Sequence, residues 1–153
     1  EVSALEFAEE LSRSLDFVSK KMIPKGLTEP NKKMDILTIR TKYNMTGKVF
    51  NSSDFDWTVV YTTEEGLAEP CYSRVVFVKP INDLLKLEQL NSPKIQTLGC
   101  AMGSRKTELI RKITKQGIDR CPKFGDMTKY ESPWDGFFPL DRMVRWVKVY
   151  NES

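Results

Sequence analysis

The sequence predicts an α+β fold: a mainly antiparallel, twisted sheet of four or five strands, packed by an N-terminal helix and a second, basic helix. Three observations predict it. The first two dozen residues repeat apolar positions at helical spacing, residues 34–79 contain three stretches of strand character, and residues 104–116 have the pattern of a capped basic helix. An alternating α/β fold with a parallel sheet is the alternative, because the second half alternates helical and strand patterns.

The N-terminal helix is predicted from its cap and its apolar stripe. Ser3 and Glu6 have the spacing of a capping box. Apolar residues then recur every three or four positions, at Leu5, Ala8, Leu11, Leu15, Val18 and Met22. Pro24 and Gly26 end the pattern. Most charged residues lie off the stripe, so one face of this helix is expected to dock on the sheet.

Three strands are predicted next. Residues 34–43 alternate with period two before Thr46-Gly47, and residues 55–63 and 71–79 are rich in aromatic and β-branched side chains. Residues 64–66, Glu-Glu-Gly, suit a short turn between the last two strands. The most economical arrangement is therefore an antiparallel meander.

The second half is predicted to hold short elements around one long loop. In chain order these are a helix capped by Asn82-Asp83 and ended by Ser92-Pro93, a brief strand at 95–98, the basic helix at 104–116, a loop at 118–139 and a final strand at 143–150. The loop carries prolines and glycines without a sustained period, and loops of this kind often carry binding groups.

The chain contains no histidine, which removes the usual general base and the commonest metal ligand. Triads and metal sites that need histidine are therefore excluded for this chain acting alone. With 153 residues, the chain is expected to form a single domain, and excision of this domain from a larger protein stays open. Its net charge of +3 implies neither a nucleic-acid nor a membrane partner. The sequence has no apolar stretch of membrane-spanning length.

Cysteines and sequons point to different compartments. Cys71, Cys100 and Cys121 lack CxxC spacing, which favours reduced, mostly buried thiols and an intracellular protein. Three Asn-x-Ser/Thr sequons keep an extracellular or luminal origin open, at Asn44, Asn51 and Asn151.

Asp54 and Asp56 are the candidate metal ligands. On the opening of a strand, residues at i and i+2 share one face, where two carboxylates suit Mg²⁺ bound to a nucleotide triphosphate. With Thr46-Gly47 upstream, the stretch is similar to the nucleotidyltransferase superfamily, which implies Mg²⁺ as cofactor and Lys48 or Arg105 on the phosphates. Lys48 stands where that family has serine. The alternative is a solvated turn.

Residues 99–107 are the candidate anion-binding loop. They follow a short predicted strand and open a helix, and backbone amides there point at an anion. Cys100 and Arg105 replace glycines of the phosphate-binding loop motif, so a looser contact by Ser104, Arg105 and Lys106 is the expectation, with a plain capped helix as the alternative.

Positive charge is densest between residues 104 and 129, and aromatic residues follow it closely. Arg111 and Lys115 on the basic helix, together with Tyr130 and Trp134 in the loop, are the remaining candidate ligand-binding residues. Such a mixture suits a phosphate backbone with stacked bases or a stacked nucleotide. A solvated helix beside a loop that buries its aromatics is the alternative.

The leading functional hypothesis is a non-catalytic binding or interaction domain that holds a protein partner or an anionic ligand on the basic helix and the aromatic loop. It needs no cofactor. The alternatives are a Mg²⁺-dependent nucleotidyltransferase-like domain using Asp54 and Asp56, an RNA-binding or cap-like nucleotide-binding domain, and a secreted recognition domain.

Overall fold

The structure is a computed structural model that describes residues 2–69, 71, 73–83, 86, 95–101, 103, 106–134 and 136–149, with the backbone alone for Lys106, Glu108, Lys112 and Gln116. The chain divides into two units, Glu1–Asn82 and Asp83–Ser153. The expectation of a single domain stays a prediction.

Unit 1 contains two helices and three strands among its described residues. In chain order these are α1 (Ala4–Lys21), α2 (Pro30–Thr46), β1 (Lys48–Asn51), β2 (Thr58–Tyr61) and β3 (Val75–Val78). The sheet order is β1-β2-β3; β1 and β2 are antiparallel, and β2 and β3 are parallel. The described residues form an α+β fold with one mixed sheet of three strands. The prediction of a mainly antiparallel sheet of four or five strands was therefore wrong.

The length of the β2–β3 connection permits the parallel pairing. Thr58 lies beside Val75 in the register, so both strands start at the same edge of the sheet. A parallel pair needs a crossover of about a dozen residues or more, which residues 62–74 supply. By their sequence, residues 64–66 suit a short turn, and a short turn between these strands would make them antiparallel.

Helix α1 is confirmed with its capping box. The Ser3 hydroxyl accepts from the Glu6 N–H at 3.2 Å, and the Glu6 carboxylate accepts from the Ser3 N–H at 2.8 Å. The apolar stripe of the helix packs on one face of the sheet, where buried Ala8 meets Val59 and Val78. The first predicted element therefore has both the predicted start and the predicted docking surface.

Helix α2 occupies residues that were predicted as a strand. Pro30 stands in its first turn, where the missing N–H is no loss, and Gly47 caps its end. Its buried residues are Ile36, Arg40 and Tyr43, which share one helical face. The period-two pattern was misleading because long side chains such as lysine, methionine, leucine and arginine are strong helix formers, and this segment is rich in them.

The two helices of unit 1 cover opposite faces of the sheet. Val59 and Val78 face α1. The alternate residues of β2 and β3 face α2, since Arg40 bonds Thr58 and the Tyr43 ring meets Phe77 edge-on at 5.3 Å between centroids. Within unit 1, α1 and α2 are thus the helices that pack on the two faces of this sheet.

Unit 2 contains the basic helix and little other regular structure in its described part. Helix α3 (Lys106–Ile113) continues into a 3-10 turn that ends at Gly117, whose φ of 101° suits glycine. Leu109 and Ile113 are its buried residues. A five-residue helix, α4 (Pro139–Met143), follows the long loop.

Two predicted strands of unit 2 differ in the structure. Residues 95–98 contribute a single bridge, from Thr97 to Arg120. Residues 144–149 are not a strand and pair with none in the described ranges, and Val144, Trp146 and Val149 are exposed. The predicted helix after Asn82-Asp83 lies outside the described residues apart from those two and Lys86. No helix in the described ranges has the length and apolar character needed to cross a membrane.

Ile36 and Leu37 provide a matched pair for testing the helical face of α2. Ile36 is fully buried, whereas Leu37 is 46% exposed. We expect Ile36→Ala to lower the free energy of unfolding by about 2–4 kcal/mol, because it removes buried methyl groups and leaves a cavity. Leu37→Ala should lower it by less than about 1 kcal/mol. Urea denaturation followed by circular dichroism measures both; equal losses, or a larger loss at Leu37, would contradict the packing described.

Candidate functional site

Three cations converge at the edge of the sheet where β2 and β3 begin. Lys25 follows α1, Arg40 lies on the buried face of α2, and Arg74 directly precedes β3. We call these residues the cationic cluster. The parallel pairing of β2 and β3 brings these segments to one edge, because both strands start there.

Arg40 is the innermost member of the cluster, with 8% of its surface exposed. Its Nε donates to the Thr58 hydroxyl at 2.9 Å, and its Nη2 donates to the Trp57 carbonyl at 3.1 Å. The guanidinium also lies 4.7 Å from the centre of the Phe55 ring. Desolvation lowers the pKa of Arg40.

Lys25 approaches the same loop from the other helix. Its Nζ donates to the Phe55 carbonyl at 2.5 Å. Burial lowers the pKa of Lys25; the Asp56 carboxylate opposes this shift, and the charges of Arg74 and Arg40 add to it. Lys25 therefore shares its surroundings with two other cations and is faced by one carboxylate.

Arg74 ties the start of β3 to the end of α1. Its Nη1 donates to the Ser19 hydroxyl and its Nη2 to the Ile23 carbonyl, both at 2.8 Å. Its own carbonyl accepts from the Thr58 N–H at 3.1 Å. These bonds position Arg74 rather than leave it free to reach a ligand.

The backbone around the cluster adopts an unusual conformation. Phe55, Ser73 and Arg74 have φ values of 60°, 69° and 59°, in the left-handed region that non-glycine residues seldom occupy. All three precede β2 or β3 at the edge that holds the cluster. Local strain of this kind persists only where the surroundings enforce it, and it concentrates at functional sites.

The Cys71 thiol also lies near the cluster. Burial raises the pKa of Cys71, the Asp35 carboxylate raises it further, and Lys32 and Lys25 oppose the rise. At neutral pH the sulfur is therefore a thiol and a weak nucleophile. Cys100 is buried beneath its own loop.

The two predicted metal ligands lie on a turn. β2 begins at Thr58, and Phe55 between the aspartates has a left-handed φ, so the alternation that placed both carboxylates on one face does not apply. Asp54 is exposed, and the Asp56 N–H donates to the Ser52 hydroxyl at 2.7 Å. The described residues contain no group of three or more Cys, Asp or Glu side chains arranged to hold a metal.

In unit 2, the structure brings two predicted ligand-binding residues together. The Tyr130 and Trp134 rings stack at 5.3 Å, and the Arg120 guanidinium lies 4.0 Å from the Trp134 ring. The buried Arg120 donates from Nη1 to the Met127 carbonyl and from Nη2 to the Lys129 carbonyl and the Glu131 carboxylate. Trp134 thus has an aromatic ring and a guanidinium as neighbours, and Arg120 holds the loop closed.

The other predicted ligand-binding residues lie along the basic helix. Arg111 and Lys115 are exposed and four residues apart, which places them on one side of the helix and its 3-10 extension. Ser104 and Arg105 lie outside the described residues, as does the Lys106 side chain. The assignment of these residues to a ligand stays a prediction.

Comparison with known proteins identifies the family. A sequence model described as acyl-CoA reductase (LuxC) matches residues 1–146. The chain belongs to the acyl-CoA reductase (LuxC) family. Comparison with curated proteins gave no significant match.

The family match overturns the functional predictions. Acyl-CoA reductases are enzymes, so the leading hypothesis of a non-catalytic binding domain was wrong. The same finding overturns the three alternatives, which were a nucleotidyltransferase, a nucleic-acid-binding or nucleotide-binding domain and a secreted recognition domain. The lack of histidine excludes mechanisms that need an imidazole, whereas reduction of a thioester by a hydride donor has no such requirement.

The cationic cluster of this acyl-CoA reductase family member was missed from the sequence. Its residues come from three separate segments, around positions 25, 40 and 74, so no single local pattern contains them. One signal was present: with α2 recognised as a helix, Arg40 falls between Ile36 and Tyr43 on the apolar stripe, where an arginine is unusual.

Arg120 and Glu131 test how the aromatic loop is held. Arg120→Lys keeps the positive charge, but an ammonium group cannot reproduce the planar hydrogen bonds that the guanidinium donates. We therefore expect the free energy of unfolding to fall by about 2 kcal/mol. Glu131 is 55% exposed, and Glu131→Gln should lose less than about 1 kcal/mol. Thermal and urea unfolding measure both. A harmless Arg120→Lys would contradict the central role of Arg120 in this loop.

The Cys71 thiol should have a higher pKa than an ordinary thiol. The rate of iodoacetamide alkylation against pH, followed for the Cys71 peptide by mass spectrometry, should have a higher midpoint in the folded chain than in urea. Because the folded pKa is raised, the stability that Cys71 contributes is complete below the unfolded pKa and is lost as pH rises through the folded pKa. An equal or lower midpoint in the folded chain would refute this environment for the thiol.

Proposed function

We propose that this chain acts in the reduction of acyl-CoA thioesters, with acyl-CoA as its substrate. The observation that carries the proposal is the family match, which extends over residues 1–146. In such a reduction a hydride adds to the thioester carbonyl carbon, the carbon–sulfur bond breaks, and CoA leaves as a thiolate that takes up a proton. A hydride donor supplies the two electrons.

The cationic cluster supports a role in substrate binding. CoA carries a diphosphate and a 3′-phosphate. Positively charged side chains that are held in position and partly shielded from water therefore increase the affinity of a protein for CoA. Lys25, Arg40 and Arg74 provide that charge, and Asp56 is the carboxylate that faces Lys25. The raised pKa of Cys71 makes this thiol a poor candidate for attack on the thioester at neutral pH. The role proposed for this part of the chain is therefore binding and positioning.

Binding and turnover of acyl-CoA test the proposal directly. The purified chain is titrated with saturated acyl-CoAs of eight to sixteen carbons by isothermal titration calorimetry, with the free fatty acids as controls. The same mixtures with NADPH or NADH are followed for nicotinamide oxidation and for CoA thiol release. We expect saturable binding of the thioesters that exceeds binding of the acids, because the acids lack the CoA phosphates.

Two results would count against the proposal. Failure of every acyl-CoA to bind at millimolar concentration would remove acyl-CoA as the ligand of this chain. Equal affinity for the thioesters and the free acids would show that only the acyl chain is recognised, as on any apolar surface.

A further inference from the structure

Arg40 is a buried cation without a neutralising carboxylate among the described residues. With 8% of its surface exposed, it has lost most of its hydration, and its hydrogen-bond partners are a hydroxyl and a carbonyl, which carry no net charge. Buried charges are normally paired, because desolvating an unpaired ion costs several kcal/mol. Desolvation lowers the pKa of Arg40. This arrangement is unusual for an arginine with only a structural role.

The hydrogen bonds of Arg40 do not use every nitrogen of its guanidinium group. Nε and Nη2 are engaged, and Nη1 makes no hydrogen bond to a described residue. The Arg40 Cζ also lies over the Phe55 ring, 4.7 Å from its centroid, and this contact together with the two hydrogen bonds restrains the guanidinium. An anion in the guanidinium plane would therefore meet a donor that is already positioned.

Lys25 brings a second positive charge to the same loop. It donates to the Phe55 carbonyl, one residue before Asp56 and two before the Trp57 carbonyl that Arg40 contacts. The groups that face Lys25 electrostatically are Asp56, Arg74, Arg40 and Cys71, of which one is a carboxylate. The loop between β1 and β2 is thus held by two cations that repel each other.

We propose that Lys25 and Arg40 form a binding site for a phosphate group of an organic ligand, with Arg74 as a positioning residue. Lys25, Arg40 and Arg74 bring three positive charges to this loop, and Asp56 brings one negative charge. A phosphate monoester carries nearly two negative charges and accepts several hydrogen bonds, so it can balance the remaining charge. A carboxylate would leave one positive charge unbalanced. The site stands on unit 1 alone; the choice of CoA as the source of the phosphate rests on the proposed function.

Binding of inorganic pyrophosphate tests the site without any acyl-CoA. Its affinity is measured by calorimetry for the wild-type chain, Arg40→Gln, Lys25→Met and the control Lys42→Met. Lys42 is a cation on the same helix as Arg40 and is 59% exposed. We expect at least about a tenfold weaker affinity for Arg40→Gln, at least about a fivefold weaker one for Lys25→Met, and a change of less than about twofold for the control.

A second readout separates ligand binding from a structural role. A bound phosphate should raise the pKa of Lys25, because a nearby anion favours the charged amine. The pKa is followed by NMR titration of the lysine side-chain carbon with and without pyrophosphate. A structural cation would show the same pKa in both samples. If Arg40→Gln does not fold, Lys25→Met and this titration decide the question.

Several results would overturn the site. These are no binding of pyrophosphate by the wild-type chain, unchanged affinity in Lys25→Met, an equal loss in Lys42→Met, or an unshifted Lys25 pKa. The source of the phosphate is distinguished by titrating CoA, dephospho-CoA and NADPH against the same variants. Pyrophosphate binding that depends on Lys25, without CoA binding, would support the site and reject acyl-CoA as its ligand.

Discussion

The burial of the Arg40 guanidinium is the constraint on which unit 1 depends. The guanidinium joins α2 to the start of β2 through the Thr58 hydroxyl and to the preceding loop through the Trp57 carbonyl, and it lies over the Phe55 ring. Since an arginine stays charged in proteins, the surrounding chain must supply acceptors that replace its water. The helix, the loop and the strand therefore have to be arranged together around this one side chain.

The unusual backbone at the sheet edge can be understood from the same constraint. Left-handed φ values at Phe55, Ser73 and Arg74 cost roughly 1–3 kcal/mol each, and a fold selected for stability alone would place glycine there. The bonds from Lys25 to the Phe55 carbonyl and from Arg74 to the end of α1 hold these residues in place. Backbone strain and repulsion between cations both lower the stability of the fold. The same cations favour the binding of an anion, and such a loss of stability in exchange for binding is expected at a binding site.

How far the fold could be predicted depended on whether local patterns agree with the tertiary structure. Helix α1 was predictable because the Ser3–Glu6 box and the apolar stripe give the same answer. Helix α2 was not, since its buried stripe contains Arg40 in place of an apolar residue. The apolar centres of β2 and β3 were recognised, but their parallel direction depends on the path of residues 62–74, which no local pattern specifies. The candidate site depends on that direction, so it could not be predicted from local patterns either.

The absence of histidine illustrates a more general limit of composition. A missing residue type excludes only the mechanisms that require it, and an enzyme using Mg²⁺ stayed open as an alternative for this chain. In thioester reduction the reactive groups are the thioester and the hydride donor, and the protein mainly binds, orients and neutralises charge. Lysines and arginines provide these contributions, and this chain has 24 of them. Their number is nearly balanced by acidic residues, so net charge carries little information about such a site. The structure adds one signal, a desolvated Arg40 with no neutralising carboxylate among the described residues. This signal can be recognised only when the fold has placed Arg40 between α2 and β2.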